Sequence, residues 1–174
     1  ALALVKAGIP FEVVPGVSSG HAAPAYAGIP LTHRNLASSL CLIAGHEDPG
    51  KEESAIDWSG IAASAGTLVF FMGTRNLPNI AERLVALGRA PETPAAVIRW
   101  GTRAEQEGGT GTLADIAGKA AAIQPPTVIV VGEVVKLREH LKWFERLPLF
   151  GKRIVITRTR EQAGALRELL EELG

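Results

Sequence analysis

Thr67 to Met72 (TLVFFM) is an unbroken apolar run, with neither helical spacing nor alternation. A short run of this kind suits a strand covered on both faces, which requires helices on either side of a sheet. Thr127 to Val131 (TVIVV) and Ala95 to Trp100 read as further buried strands, and Ser38 to Ala44 as another, followed by a polar loop from Gly45 to Ser54. Phe11 to Val14 is short, β-rich and closed by Pro15-Gly16.

Helical stretches alternate with these runs. Ser19 to Ala27 is a small-residue helix ended by Gly28-Ile29-Pro30, and Asn76 to Leu87 is amphipathic and stopped by Gly88. Leu113 to Ile123 reads as a helix closed by Pro125-Pro126, and Leu137 to Phe144 as a short closing helix. Glu105 to Gly111 is polar and Gly-rich, suiting an edge strand, and lies close enough to Trp100 for a hairpin. The expected class is α/β, a mixed sheet flanked by helices.

The character changes near Pro148. Pro148-Leu149-Phe150-Gly151 is a joint, Lys152 to Thr157 (KRIVIT) a fresh strand and Glu161 onward a fresh helix, so residues 148–174 read as one β–α unit of a second domain after a first at 1–147. Ala1 to Ala7 reads as a helix tail without an N-cap, and the last helix halts at Gly174. These ends suggest a piece of a longer chain.

Eighteen basic residues balance eighteen acidic ones. A nucleic-acid groove needs a basic excess, so none is expected. The lone Cys41 excludes an internal disulfide and a thiolate zinc site, and no histidine pair has metal-ligand spacing, so no metal is expected. The sequence holds no leader and no apolar stretch of about 18 residues, so a cytoplasmic protein away from membranes is the default. Phosphate-loop and serine-hydrolase motifs are missing as well; Gly108-Gly109-Thr110-Gly111 has no following Lys-Ser.

What remains is a set of strand-end turns: Pro15-Gly16-Val17-Ser18-Ser19, Phe71-Met72-Gly73 and Trp100-Gly101-Thr102. Glycine lets a ligand approach the backbone closely, and ligands of open α/β sheets sit beyond the carboxyl ends of strands. Three such turns at equivalent places point to a pocket, with Ser18, Met72 and Gly101 on one rim.

Val14-Pro15-Gly16-Val17-Ser18-Ser19 and the run Ala23-Pro24-Ala25-Tyr26-Ala27-Gly28-Ile29-Pro30-Leu31-Thr32-His33-Arg34 resemble the tetrapyrrole methyltransferases, most closely their uroporphyrinogen-III C-methylating branch. The likeness continues through Gly45-His46-Glu47, Asp57-Trp58, the Thr67 to Gly73 run, Gly101-Thr102 with Gln106, and Val131 to Val135, ending at Trp143-Phe144-Glu145. It implies methyl transfer from S-adenosylmethionine to pyrrole carbons of uroporphyrinogen-III, giving precorrin-2 on the sirohaem and cobalamin route, in a homodimer. By the same resemblance residues 1–147 are the C-terminal part of such an enzyme. The segment from Pro148 to Arg158 is similar to the joint and first strand of a uroporphyrinogen-III synthase.

Carried over residue by residue, the resemblance gives Ser18, Ser19, Met72 and Gly101 to S-adenosylmethionine, with Ala96 and Thr127 as weaker candidates on neighbouring strands. Arginine suits a substrate bearing eight carboxylates, so Arg34 is the first choice there, followed by His33 and Arg75. The family's Gly-Pro-Gly-Asp turn, its Gly-Gly-Asp-Pro loop and its acid and base candidates have no counterpart in these residues, so the catalytic groups stay unknown and this stretch alone is expected to be inactive. A methyltransferase for another precorrin, for RNA or for protein, and a non-catalytic dimerisation half, remain the alternatives.

Overall fold

A computed structural model describes residues 1–45, 56–63 and 66–174. Of the loop expected from Gly45 to Ser54, only Gly45 lies inside the described residues; His46 and Glu47 lie outside them. In chain order the elements are α1 (Leu2–Lys6), α2 (Ser19–Tyr26), β1 (Leu40–Ala44), α3 (Trp58–Ala63), β2 (Thr67–Phe71), α4 (Leu77–Ala86), β3 (Pro94–Arg99), β4 (Glu107–Thr112), α5 (Ile116–Lys119), β5 (Thr127–Val131), α6 (Arg138–Leu141) and α7 (Arg160–Glu172).

The strands form a mixed sheet in the order β1-β2-β5-β3-β4. β1 and β2 are parallel, whereas β2–β5, β5–β3 and β3–β4 are antiparallel. β1, β2 and β3 therefore run one way and β4 and β5 the other. The carboxyl ends of the first three share a rim with the starts of the other two, as the pairs Ala44↔Phe71, Phe71↔Val128, Arg99↔Thr127 and Arg99↔Glu107 confirm.

Both faces of the sheet are covered, as the unbroken apolar runs require. On one face Leu68, Phe70, Val97, Ile129 and Val131 meet Ile80 and Leu84 of α4 and Ile116 of α5. On the other, Val69, Ala96, Ile98, Val128 and Val130 meet Ala23, Ala27 and Ile29 on and after α2. Each such valine, leucine, isoleucine or phenylalanine side chain taken out of water contributes about 1.5–3 kcal/mol. Helix α4 serves its face because Leu77, Ile80, Ala81 and Leu84 fall on one side of it.

Four expected elements differ. Phe11 to Val14 forms no strand: Phe11, Val13 and Val14 are exposed, and no described strand lies alongside to accept their backbone bonds. Lys152 to Thr157 forms none for the same reason, with Val155 81% exposed. β-propensity makes a strand only where a partner edge exists. Leu113 to Ile123 is helical only over Ile116–Lys119, because Asp115 turns back to accept from the Thr112 amide at 2.7 Å and Gly118, a poor helix former, weakens the short helix it lies in. Leu137 to Phe144 breaks into a 3-10 turn at Glu133–Leu137, the four-residue α6 and another turn at Phe144–Arg146.

Helix α3 was not anticipated beyond the alanine richness of its segment. Its signal is Asp57, whose carboxylate accepts from the Gly60 amide at 3.0 Å and from the Ser59 hydroxyl at 2.8 Å. Those two bonds, the Gly60 amide first, hold the Asp57 carboxyl below the usual carboxylate range.

Residues 148–174 touch the rest of the chain at the joint. Phe150 packs edge-on against Phe144 at 5.2 Å, and within the segment the Leu149 amide donates to the Leu173 carbonyl at 3.0 Å. Leu166 and Leu169 of α7 stay exposed. With a lone helix and an unpaired extended stretch, this segment buries no core of its own. Brief trypsin treatment should therefore cut at Lys152, Arg153 or Arg158 and release α7, leaving a protected core that ends near the joint. Full-length chain persisting as long as the core would mean that α7 is docked.

Candidate functional site

The rim that gathers the strand ends also gathers the three turns found in the sequence. β2 and β3 end alike: Met72 and Trp100, each the first residue past its strand, take φ of 54° and 48°, and a glycine follows each. Thr102 is also left-handed, at φ 76°. The conformation costs a non-glycine residue about 1–2 kcal/mol, so surrounding contacts must hold three such residues in place. Met72 is 65% exposed and so is not core filling.

The third turn enters through α2. Ser18 caps that helix, its hydroxyl oxygen accepting from the Gly20 amide at 3.3 Å. The helix lies close on the sheet because two glycines permit it. A Cβ on Gly20 would come within 2.5 Å of the Phe71 ring, and one on Gly101 within 2.4 Å of the Ala23 Cβ. Gly101 thus joins the β3 end directly to α2, while Gly20 lets the same helix settle over the end of β2.

Two adjoining cavities open along this rim. One, about 300 Å³, is lined by Ser19, Ala23, Trp100, Gly101, Thr102 and Thr127 among others. The other, about 280 Å³, is lined by Met72, Thr74, Arg75, Pro125, Pro126 and Thr127. They share Pro126 and Thr127, so together they make one cleft running from α2 to the turn after β2. Thr127, 8% exposed, shares a hydrogen bond with the Thr74 hydroxyl, which ties the start of β5 to that turn.

Among the nominated residues, Ser19, Met72, Gly101 and Thr127 line the cleft, and Ser18 stands at the head of α2 beside it. Ala96 does not reach it: at 1% exposure it packs in the core beneath α2, three residues short of the strand end. Of the three substrate candidates, Arg75 lines the cleft. Arg34 is exposed in the turn closed by the His33–Ala37 bridge, ahead of β1, and lines neither cavity. His33 lies in the same turn, its Nδ1 accepting from the Asn35 amide. The sequence reading missed Thr74 and Pro126; a hydroxyl two residues after Met72 and a proline just before Thr127 were the available signals.

The lining suits a ligand with apolar surface and polar edges. It offers hydroxyls from Ser19, Thr74, Thr102 and Thr127, apolar surface from Val17, Met72 and Ile98, and backbone bared at Gly101. Among the described residues, Arg75 is its one ionisable lining residue.

Comparison with known proteins follows this geometry. The family described as Tetrapyrrole (Corrin/Porphyrin) Methylases matches residues 1–117. The chain is 42% identical over 174 residues to a uroporphyrinogen-III C-methyltransferase of Bacillus subtilis, covering 99% of this chain and 36% of that protein. It is 51% identical over 140 residues to an S-adenosyl-L-methionine-dependent uroporphyrinogen III methyltransferase of Methanosarcina barkeri, covering 79% and 55%. Among solved structures, a uroporphyrin-III C-methyl transferase of Thermus thermophilus, complexed with S-adenosylhomocysteine, superposes with a TM-score of 0.66 at 32% identity, covering 78% of this chain and 58% of that one. The chain spans about a third of the length of the first curated relatives it matches.

Proposed function

Because the chain belongs to the tetrapyrrole (corrin/porphyrin) methylase family, we propose that its rim cleft holds S-adenosylmethionine and serves the C-methylation of uroporphyrinogen-III. The observation that carries this reading is the meeting of Ser19, Met72, Gly101 and Thr127, drawn from four separate segments, along one cleft. Bound there, S-adenosylmethionine would supply a methyl group already activated by its sulfonium.

The chain's own residues do the holding. Ser18 and Ser19 offer hydroxyls at the head of α2, and Gly101 bares backbone on which a flat group can rest. Thr127 adds a hydroxyl fixed by Thr74, and Met72 an adaptable apolar wall. Arginine side chains hold the tetrapyrrole's carboxylates, Arg75 at the cleft and Arg34 from the turn before β1, where the other ring nitrogen of His33 adds a donor. Residues 1–147 form this methylating unit as part of a homodimer, and 148–174 open a second unit similar to a uroporphyrinogen-III synthase.

Titration of the chain with S-adenosylhomocysteine in a calorimeter tests the reading: saturable one-to-one binding is expected, and no heat at millimolar ligand would overturn it. Substrate recognition is tested in the whole-length protein. Arg75→Ala and Arg34→Ala should each weaken tetrapyrrole binding roughly tenfold or more, since a charged hydrogen bond contributes about 1.5–3 kcal/mol. Affinity for S-adenosylhomocysteine should stay within about twofold in Arg34→Ala, since Arg34 lies outside the cleft. Equal losses for both ligands in that variant would assign Arg34 to the fold instead.

A further inference from the structure

Gln106 is buried at 6% exposure on the loop between β3 and β4, and it uses both ends of its amide. Its Oε1 accepts from the Thr102 amide at 3.0 Å, and its Nε2 donates to the Tyr26 carbonyl at 3.3 Å and to Glu145 Oε1 at 2.8 Å. Glu145 in turn accepts from Arg138 at 2.8 and 2.9 Å, in a pair whose side chains are 20% and 15% exposed. Arg138 also donates to the Ala27 carbonyl, and the Trp143 indole to the Ala25 carbonyl at 3.2 Å.

Three consecutive carbonyls closing α2 are thus received by residues from outside the helix. One of those residues, Gln106, also fixes the left-handed Thr102 beside Gly101. The helix that carries Ser18 and Ser19 and the turn that carries Gly101 are thereby set against each other by one polar chain, Thr102–Gln106–Glu145–Arg138. No member of the chain after Thr102 lines the cleft.

Resting on the reading of the cleft as an S-adenosylmethionine site, we infer that Gln106 is a positioning residue for that ligand, acting through Thr102 and backed by the Glu145–Arg138 pair. A buried network of this kind is worth most when complete, because each loose end leaves a desolvated group unpaired. Residues 138–145, at the far end of the methylase resemblance, then control ligand affinity without touching ligand.

An exchange of side chains tests this. Gln106→Glu keeps the acceptor for Thr102 but sets two carboxylates face to face, and Glu145→Gln removes the partner of Arg138. The double variant restores a donor–acceptor pair between positions 106 and 145, while the Tyr26 carbonyl lacks its Gln106 donor in both. S-adenosylhomocysteine affinity of the 174-residue chain should fall about tenfold in Gln106→Glu and recover to within about threefold of wild type in the exchange variant. Hydrogen exchange at Thr102 should quicken in Gln106→Leu while β2 and β5 amides remain protected. Wild-type chain that binds while every variant binds equally well would overturn the inference and leave the cleft assignment standing. Wild-type chain that binds no S-adenosylhomocysteine would overturn the assignment and the inference with it.

Discussion

Incubated alone with uroporphyrinogen-III and S-adenosylmethionine, the 174-residue chain should transfer no detectable methyl group. C-methylation needs the methyl and the pyrrole carbon held in line, and a proton must then leave that carbon. The rim meets the first need on one side only, because both cavities open along a single rim of the sheet. It does not meet the second: the described residues lining the cleft include no carboxylate, histidine, cysteine or tyrosine to take the proton. Misplacement by an ångström can cost about 100-fold, so an unclosed cleft should cost more. Supplying in trans the part of the Thermus relative that this chain does not cover should restore some turnover. The measurement is radiolabelled methyl transfer, with and without that part. Clear turnover by the lone chain would place the acid and base within these residues.

Gly101→Val should abolish measurable S-adenosylhomocysteine binding and lower stability by about 1–3 kcal/mol. The added Cβ alone would lie 2.4 Å from the Ala23 Cβ and 2.6 Å from its Cα, atoms of a helix that cannot swing aside as a flexible side chain could. Relief comes only by moving α2 away from the β3 turn, which widens the cleft between Ser19 and Gly101. Gly118→Ala is the matched control. A Cβ there meets nothing within 4 Å, and in α5 the change should be neutral or add up to about 1 kcal/mol. Chemical denaturation paired with calorimetry separates the two outcomes. Binding by Gly101→Val at wild-type affinity would remove that turn from the site.

The buried strands were legible because a segment covered on both faces leaves an apolar run that nothing else in a soluble chain requires; Leu68 to Phe70 and Val128 to Val131 are such runs. The hairpin and its Gly-rich edge strand followed from short spacing. Phe11 to Val14 and Lys152 to Thr157 misled because sequence reports propensity and not the presence of a neighbour. The likeness of the Met72 and Trp100 turns was visible as a strand end followed by glycine, but their shared left-handed backbone was not, since neither residue type favours it. Ala96 lies on β3 three residues short of the rim, and that depth within a strand is not written in the sequence. Arg75 ranked below Arg34 because the resemblance to known methyltransferases was densest around Arg34, whereas proximity to the cleft depends on where strand β2 ends.

The strand that comes last in the chain lies in the middle of the sheet. Until residues 127–131 are available, β1–β2 and β3–β4 are two separate ribbons with no strand between them, and a two-stranded ribbon is marginal by itself. On a ribosome, or during refolding, the Met72 turn and the Gly101 turn belong to different ribbons and meet only when β5 inserts between them. Thr127 is the first residue of that strand and a wall of both cavities, so the cleft and the completed sheet come into being together. A chain shortened before Pro125 therefore loses more than one wall. It leaves inner edges of β2 and β3 open to pairing with other molecules, and such a product would be expected to aggregate before it could misbind.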